Sequence, residues 1–501
     1  MADTKMLDSI IKDIETRLDS VDISPERVNS WEVIYLWDWI AKVVWLRDIS
    51  YNELVEFESW ATWVALNLEE SFVWVVILSW FSSVKEWMMA KKTWKNLEVP
   101  VWEALLGRVV DALWNPIDWL WDIKTKEFYP TERVATWVMS RKWVHEPLET
   151  WIKALDALVP IWRWQRELII WDRQTWKTQI AIDTILNQKW KWVKCIYVAI
   201  WQKDSKVVAI TEELKKAWAM EYTIVVSAWS SAPAAMQWLA PFSWVAMWEY
   251  FMFKWEHVLI IYDDLSKHAN AYREMSLLLR RPPGREAYPW DVFYLHSRLL
   301  ERSAKLNDKL WAWSITALPI IETQAWDVSA YVPTNVISIT DWQIFLETWL
   351  FNAWVKPAIN VWLSVSRVWW SAQTKAMKKV AWSLKLSLAQ YRELEAFSQF
   401  ASDLDEDTRA QLERWKRMVE ILKQDIYSPI PFEKQVCAIY AWINWYLDKI
   451  EVSKIKSFEK DLYAELDEEN SIITKTKETW ILDDESTEAL IKLIKEVVKQ
   501  Y

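Results

Sequence analysis

Trp171-Asp172-Arg173-Gln174-Thr175-Trp176-Lys177-Thr178 is the stretch on which the fold reading turns. It follows a short apolar run, Leu168-Ile169-Ile170, and opens a helical pattern over 178–188. Its spacing is that of G-x-x-x-x-G-K-T, with Trp at both glycine positions. In such a loop, backbone N–H groups and a helix N-terminus surround a phosphate. The Lys pairs with the outer phosphates and the hydroxyl holds Mg²⁺. Lys-Thr before a helix is also an ordinary helix start, so the octet gains its meaning from a second motif downstream. Val258-Leu259-Ile260-Ile261-Tyr262-Asp263-Asp264 is an apolar strand ending in two carboxylates. That pattern orders Mg²⁺ beside a phosphate loop, although a buried strand with a polar exit looks the same. The two features, in this order within one α/β region, point to a nucleotide site.

The composition explains the tryptophans in the octet. The chain has 45 Trp and 2 Gly among 501 residues, where average usage would give roughly 35 Gly. Only Gly107 and Gly284 are present. Trp37-Asp38-Trp39 sits between two β-like runs, where Asp-Gly would make a type I′ hairpin turn. The sequence reads as an ordinary globular one with Trp at nearly every glycine position. Indoles at Trp171 and Trp176 add bulk beside the phosphate seat, which predicts weakened or lost nucleotide binding. A side chain in the left-handed region costs about 1–2 kcal/mol, and overpacking about 1–3 kcal/mol per site. Repeated at many positions, these costs predict a chain that fails to fold.

Length predicts about two to four domains. With 52% hydrophobic and 26% charged residues, the composition is globular. A net charge of −10 argues against general nucleic-acid affinity. Cys195 and Cys437 lie in apolar surroundings and read as core residues in a reducing compartment. The four histidines show no metal-ligand spacing. No segment is apolar throughout over transmembrane length, the apolar run 72–81 reading as buried strand, and the N-terminus lacks the regions of a signal peptide. The expectation is a soluble, cytosolic protein.

Leu7, Ile10, Ile11, Ile14 and Leu18 recur at helical spacing, predicting an amphipathic helix within 1–24 that docks on a partner or on its own chain. Over 25–92, short β runs at 33–36, 40–46, 62–66 and 73–78 predict a small antiparallel barrel or sandwich. Over 93–370, apolar runs at 168–170, 195–200, 223–227, 258–262 and 314–318 alternate with helical patterns. That is the mark of a mostly parallel sheet covered on both faces. From 371 to 501 only helical, charge-rich spacing remains, as over 411–423, 435–447 and 487–500. Hydrolysis needs a group that activates water, usually a carboxylate at the end of the neighbouring strand. There the sequence has Trp201-Gln202, and an amide cannot take a proton.

With Trp read as Gly at turns, the chain resembles the α subunits of F-type ATP synthases over nearly its whole length. The resemblance rests on the run from Leu106-Gly107-Arg108 to Asn115-Pro116-Ile117-Asp118, on Asp172 to Gln179, and on Tyr262-Asp263-Asp264-Leu265-Ser266-Lys267-His268. It also rests on Pro282-Pro283-Gly284-Arg285-Glu286-Ala287-Tyr288-Pro289, and on Pro357-Ala358-Ile359-Asn360 followed by Ser364-Val365-Ser366-Arg367. It implies an N-terminal β-barrel, a central RecA-like P-loop domain and a C-terminal helical domain. It also implies an α₃β₃ ring with β, γ and δ subunits, in which each α subunit holds Mg-ATP without turning it over. By resemblance, Trp171 to Thr178, Gln202, Lys356, Pro357 and Gln424 surround the nucleotide, and Thr178 and Asp263 hold Mg²⁺. Ile426 stands where many members have a second Gln. Arg367 matches an arginine finger that reaches into the neighbouring β subunit, and the N-terminal helix matches a δ-binding segment. The implied location is peripheral, on the cytoplasmic face of a bacterial membrane, through the proton-channel sector.

Two other readings compete with this one. A self-sufficient RecA-like hexameric ATPase would need a carboxylate near position 202. The other is a family-like chain inactivated by its tryptophans.

Overall fold

The computed structural model describes residues 31–44, 48–59, 61–78, 83–142, 146–172, 177–189, 191–254, 256–310, 312–365, 373–382, 384, 387, 406–467 and 469–501. The helix expected within 1–24 lies outside them, as do Arg173, Gln174, Thr175, Trp176 and Arg367. The chain divides into two compact units, Met1–Asn96 and Leu97–Tyr501.

The first unit is a closed barrel of strands β1 (Trp31–Trp37), β2 (Ile40–Val44), β3 (Glu53–Phe57), β4 (Thr62–Leu68), β5 (Phe72–Ile77) and β6 (Met89–Asn96), in the order β1-β2-β5-β4-β3-β6. All pairings are antiparallel, and the barrel closes where Glu32 faces Met89. Val33, Val43, Val55, Val64 and Val75 are buried. Closure removes the unpaired edges that so small a sheet would otherwise expose. The β1–β2 hairpin turns at Asp38-Trp39 as expected, with Trp37 opposite Ile40. It is not a type I′ turn, since positive φ occurs at Asp38 and not at Trp39.

The second unit is built on an eight-stranded sheet. Its strands are β7 (Val109–Val110), β8 (Glu167–Trp171), β9 (Val193–Gln202), β10 (Thr223–Trp229), β11 (His257–Asp263), β12 (Ile315–Glu322), β13 (Trp342–Leu346) and β14 (Ile359–Val365). The order is β14-β13-β8-β12-β11-β9-β10-β7, all parallel except the β13–β14 pair. The central strands are buried on both faces and therefore read as continuous apolar runs. Short helix α1 (Lys153–Leu158) precedes β8, and the crossover helices include α2 (Lys177–Leu186), α3 (Asp204–Lys216), α4 (Ala234–Phe253) and α5 (Leu265–Leu278). The Asp264 side chain caps α5 by accepting the Lys267 N–H, one of the donors a helix start leaves unpaired.

Helices α6 (Glu406–Leu422), α7 (Phe432–Ile443), α8 (Ile455–Glu465), α9 (Ser471–Thr479) and α10 (Asp484–Val498) form the C-terminal region. They share one continuous apolar core with the sheet. The buried Lys153 ammonium on α1 pairs with Glu459 on α8. Gln435 on α7 donates to buried Asp156 on α1 at 3.0 Å.

Some of the tryptophans have the backbone conformation that favours glycine. Among the described residues, thirteen have positive φ, including Trp114, Trp164, Trp218, Trp326 and Trp480. Others are buried without a hydrogen-bond partner for the indole N–H, among them Trp63, Trp238, Trp244 and Trp248. Each such orphan costs roughly 1–3 kcal/mol.

Candidate nucleotide-binding site

In open α/β sheets, ligands bind beyond the carboxyl ends of the strands. There β8 ends at Trp171, α2 begins at Lys177, and β11 ends at Asp263. The Lys177 ammonium lies 2.8 Å from Asp263 Oδ1 and 2.8 Å from Asp264 Oδ2. The Thr178 hydroxyl donates to Asp263 Oδ2 at 3.2 Å, and the Tyr197 hydroxyl to the same oxygen at 2.5 Å. Gln202 donates its amide N–H to Asp263 Oδ1 at 3.1 Å and accepts from Lys206 Nζ at 3.1 Å. Lys206 itself lies 3.5 Å from Asp263, and Lys267 lies 3.2 Å from Asp264.

The electrostatics follow from burial set against pairing. Burial alone would raise the Asp263 carboxyl, but the Lys177 and Lys206 ammonium groups outweigh it and hold Asp263 well below the usual carboxylate range. Burial alone would lower Lys177, and the two carboxylates reverse that and keep it firmly charged. Tyr197 is raised by burial and by the adjacent Asp263 anion, so it remains a hydrogen donor. The centre thus holds three ammonium groups against two carboxylates. The Thr178 hydroxyl and the Asp263 carboxylate form a hard-oxygen pair of the kind Mg²⁺ takes. Elsewhere, no group of three or more His, Cys, Asp or Glu among the described residues could hold a metal ion.

One tryptophan enters this centre directly. Lys177 Nζ lies over the Trp171 ring, 3.9 Å from its centroid. This cation–π contact occupies ammonium surface that a phosphate would need.

A second cleft opens off the same helix. It is lined by Ile152, Gln179, Ile180, Asp183, Pro357, Gln424, Asp425 and Ile426. The Gln424 backbone N–H donates to the Lys356 carbonyl at 2.8 Å, which brings Lys356, Pro357 and Gln424 together. Sequence reasoning named Trp171, Asp172, Lys177, Thr178, Gln202 and Asp263 for the phosphate end. Asp172 follows β8 and is half-buried. It missed Tyr197, Lys206, Lys267 and Asp183. Tyr197 is hidden inside an apolar strand pattern, and only Lys206, four residues after Gln202, offered a periodic signal.

A phosphate seat at the carboxyl ends of a mostly parallel, doubly covered sheet, with a small cleft along its first helix, is the arrangement of a nucleotide-binding protein. Residues 152–366 match the nucleotide-binding domain of the ATP synthase alpha/beta family. Residues 373–497 match the C terminal domain of the ATP synthase alpha/beta chain. The protein is 55% identical over 490 residues to the ATP synthase subunit alpha of Wolinella succinogenes, covering 98% of each. It belongs to the ATP synthase alpha/beta family, among the alpha-type members.

Proposed function

We propose that the chain is the nucleotide-holding, non-catalytic alpha subunit of a proton-translocating F-type ATP synthase. The observation that carries this reading is Gln202, a neutral amide spent on Asp263 and Lys206 at the place where a hydrolase needs a base. Asp263 also pairs with Lys206 and Asp264 with Lys267, so both carboxylates keep an ammonium partner when Lys177 turns to phosphate. The site binds and does not turn over.

In this reading Lys177 gives up its carboxylate partners to the outer phosphates of ATP. Thr178 and Asp263 would hold Mg²⁺, which neutralises the charge the phosphates bring. Arg173, Gln174 and Thr175 would contribute to the phosphate contacts, and Lys356 and Pro357 wall the base. Trp171 and Trp176 lower the affinity through their bulk. The chain assembles with β subunits in an α₃β₃ ring around γ, with δ at its N-terminal segment, and lends Arg367 to the neighbouring β site. Among the described residues, no helix is long and apolar enough to cross a membrane. That is consistent with a peripheral position on the cytoplasmic face of a bacterial membrane.

Thermal unfolding of the purified chain with and without excess Mg-ATP tests this. Ligand at a hundred times Kd adds about 2.7 kcal/mol, so the transition moves up, and Lys177→Gln abolishes the shift. Phosphate release stays at background throughout. A transition indifferent to Mg-ATP, or turnover by the isolated chain, refutes the reading.

A further inference from the structure

Lys206 stands in the first turn of α3, the helix that follows β9, and its ammonium is turned back onto the strand ends. Its Nζ donates to Gln202 Oε1 at 3.1 Å and lies 3.5 Å from Asp263 Oδ2. Gln202 in turn donates to Asp263 Oδ1 at 3.1 Å, so one amide fixes the ammonium and the carboxylate against each other. An ammonium carries three donors. Gln202 and Asp263 take two directions, and among the described residues no third acceptor meets Nζ. The side chain is 36% exposed, so the remaining donor is open to whatever fills the seat.

The strand order fixes which part of a ligand would meet it. Along the carboxyl edge the strands run β14-β13-β8-β12-β11-β9. The cleft holds Pro357, just before β14, while Lys177 follows β8, Asp263 ends β11 and Lys206 comes after β9. Lys177 approaches Asp263 at Oδ1 and Lys206 at Oδ2, so two ammonium groups flank one carboxylate from different sides. A nucleotide with its base in the cleft and its phosphates at the start of α2 points its last phosphate toward Asp263 and Lys206. The centre also lacks anions: Lys177, Lys206 and Lys267 face only Asp263 and Asp264. At the end of the neighbouring strand, where a hydrolase needs a base, this ammonium has no lone pair to offer.

We infer that Lys206 sets the phosphate count of the ligand, donating to the terminal phosphate of a nucleoside triphosphate and so favouring it over the diphosphate. The inference rests on the nucleotide-binding reading above and names its specificity. Lys206 keeps its contact with Asp263 meanwhile, because a different N–H serves the phosphate.

Affinities of the full-length chain for ATP and ADP are measured with Mg²⁺ by displacement of a fluorescent ATP analogue. The unsubstituted chain binds ATP at least about tenfold tighter than ADP, the effect expected of one hydrogen bond to a charged group. Lys206→Met keeps the aliphatic stem and removes the donors. In that variant ATP affinity falls about tenfold while ADP affinity changes by less than about twofold. A denaturant midpoint establishes that the variant is folded. Equal affinity for ATP and ADP in the unsubstituted chain overturns the role of Lys206 and leaves the phosphate site intact, and that comparison needs no variant. So does an ATP preference that survives in a folded Lys206→Met, or an equal loss of both nucleotides there. Binding of neither nucleotide by the unsubstituted chain overturns both readings.

Discussion

Trp480 closes helix α9 at φ 58° and ψ 20°, donating its N–H to the Thr476 carbonyl at 2.9 Å. Its own carbonyl accepts the Ala376 N–H, so the local backbone bonds do not depend on the side chain. A Cβ in the left-handed region costs about 1–2 kcal/mol, and glycine at this position removes that cost. Trp480→Gly is therefore expected to raise stability by about 1 kcal/mol, read as a higher denaturant midpoint at unchanged slope. Trp480→Ala keeps the Cβ and should bring no such gain. If Ala stabilised as much as Gly, the cost would lie in the partly exposed indole and not in the backbone. The same logic made these positions legible beforehand. A residue type that appears at turns, after strands and in a phosphate loop marks glycine positions by their neighbours, whatever its own chemistry. What the sequence could not show is which indoles would be buried with an unpaired N–H, as in Trp238, Trp244 and Trp248, because that depends on the partners of the whole of α4.

Helix α2 carries the phosphate-facing Lys177 and Thr178 at its start and Asp183 two turns on, so one element spans both ends of the candidate ligand. Burial pushes the Asp183 carboxyl up to about 6 from an ordinary 3.8, against the opposing hydrogen bonds from Gln179 and Tyr427. Because the folded-state value is the higher one, the protonated form is the one that folding favours. Its contribution is complete below about pH 4 and is lost as pH rises through about 6. The shift of about two units corresponds to at most roughly 3 kcal/mol. Asp183→Asn does not titrate, so unfolding free energy measured from pH 4 to 7 should fall less steeply in the variant than in the unsubstituted chain. Parallel curves would place Asp183 in a more hydrated setting than this cleft. At this scale the sheet was the most readable part: β8 to β12 are buried on both faces and announce themselves as apolar runs. Strands β3 and β6 escaped notice because Glu53, Glu56, Lys91, Lys92 and Lys95 interrupt them. In a closed barrel one face of each strand is free to carry charge, so short segments lose the alternation that would identify them. Asp183 escaped for a different reason. Its two fixing partners lie at Gln179, one turn away, and at Tyr427, far along the chain, and no local spacing relates all three.

At the scale of the molecule, the nucleotide region and the C-terminal helices of the second unit share a core and are joined by buried polar contacts, Lys153 with Glu459 and Asp156 with Gln435. Gln424, which lines the cleft beside α2, comes from the segment between α6 and α7, so the cleft is complete only when these helices are docked. Domain order was legible from the change in periodicity along the chain, whereas this docking was not, since it depends on charged residues that look like solvent-facing ones in sequence. On the proposed reading the site holds nucleotide without turning it over, and the protein's contribution to chemistry is then made in a neighbour's site. The proposed agent is Arg367, a residue beyond the described ones. An arginine finger adds charge and a planar fork at the transferring phosphoryl group and is worth roughly 10³–10⁵ in rate. In an α₃β₃ assembly built with a catalytic β partner, Arg367→Gln should therefore lower kcat for ATP hydrolysis by at least about a thousandfold. Arg367→Lys should recover only a small part, because an ammonium cannot reproduce the fork. Assembly, followed by sedimentation, and Mg-ATP binding to the isolated α subunit should be unchanged in both variants. A fall in kcat together with loss of the ring would make Arg367 an interface residue, and an unchanged kcat in an intact ring would remove it from the reaction altogether.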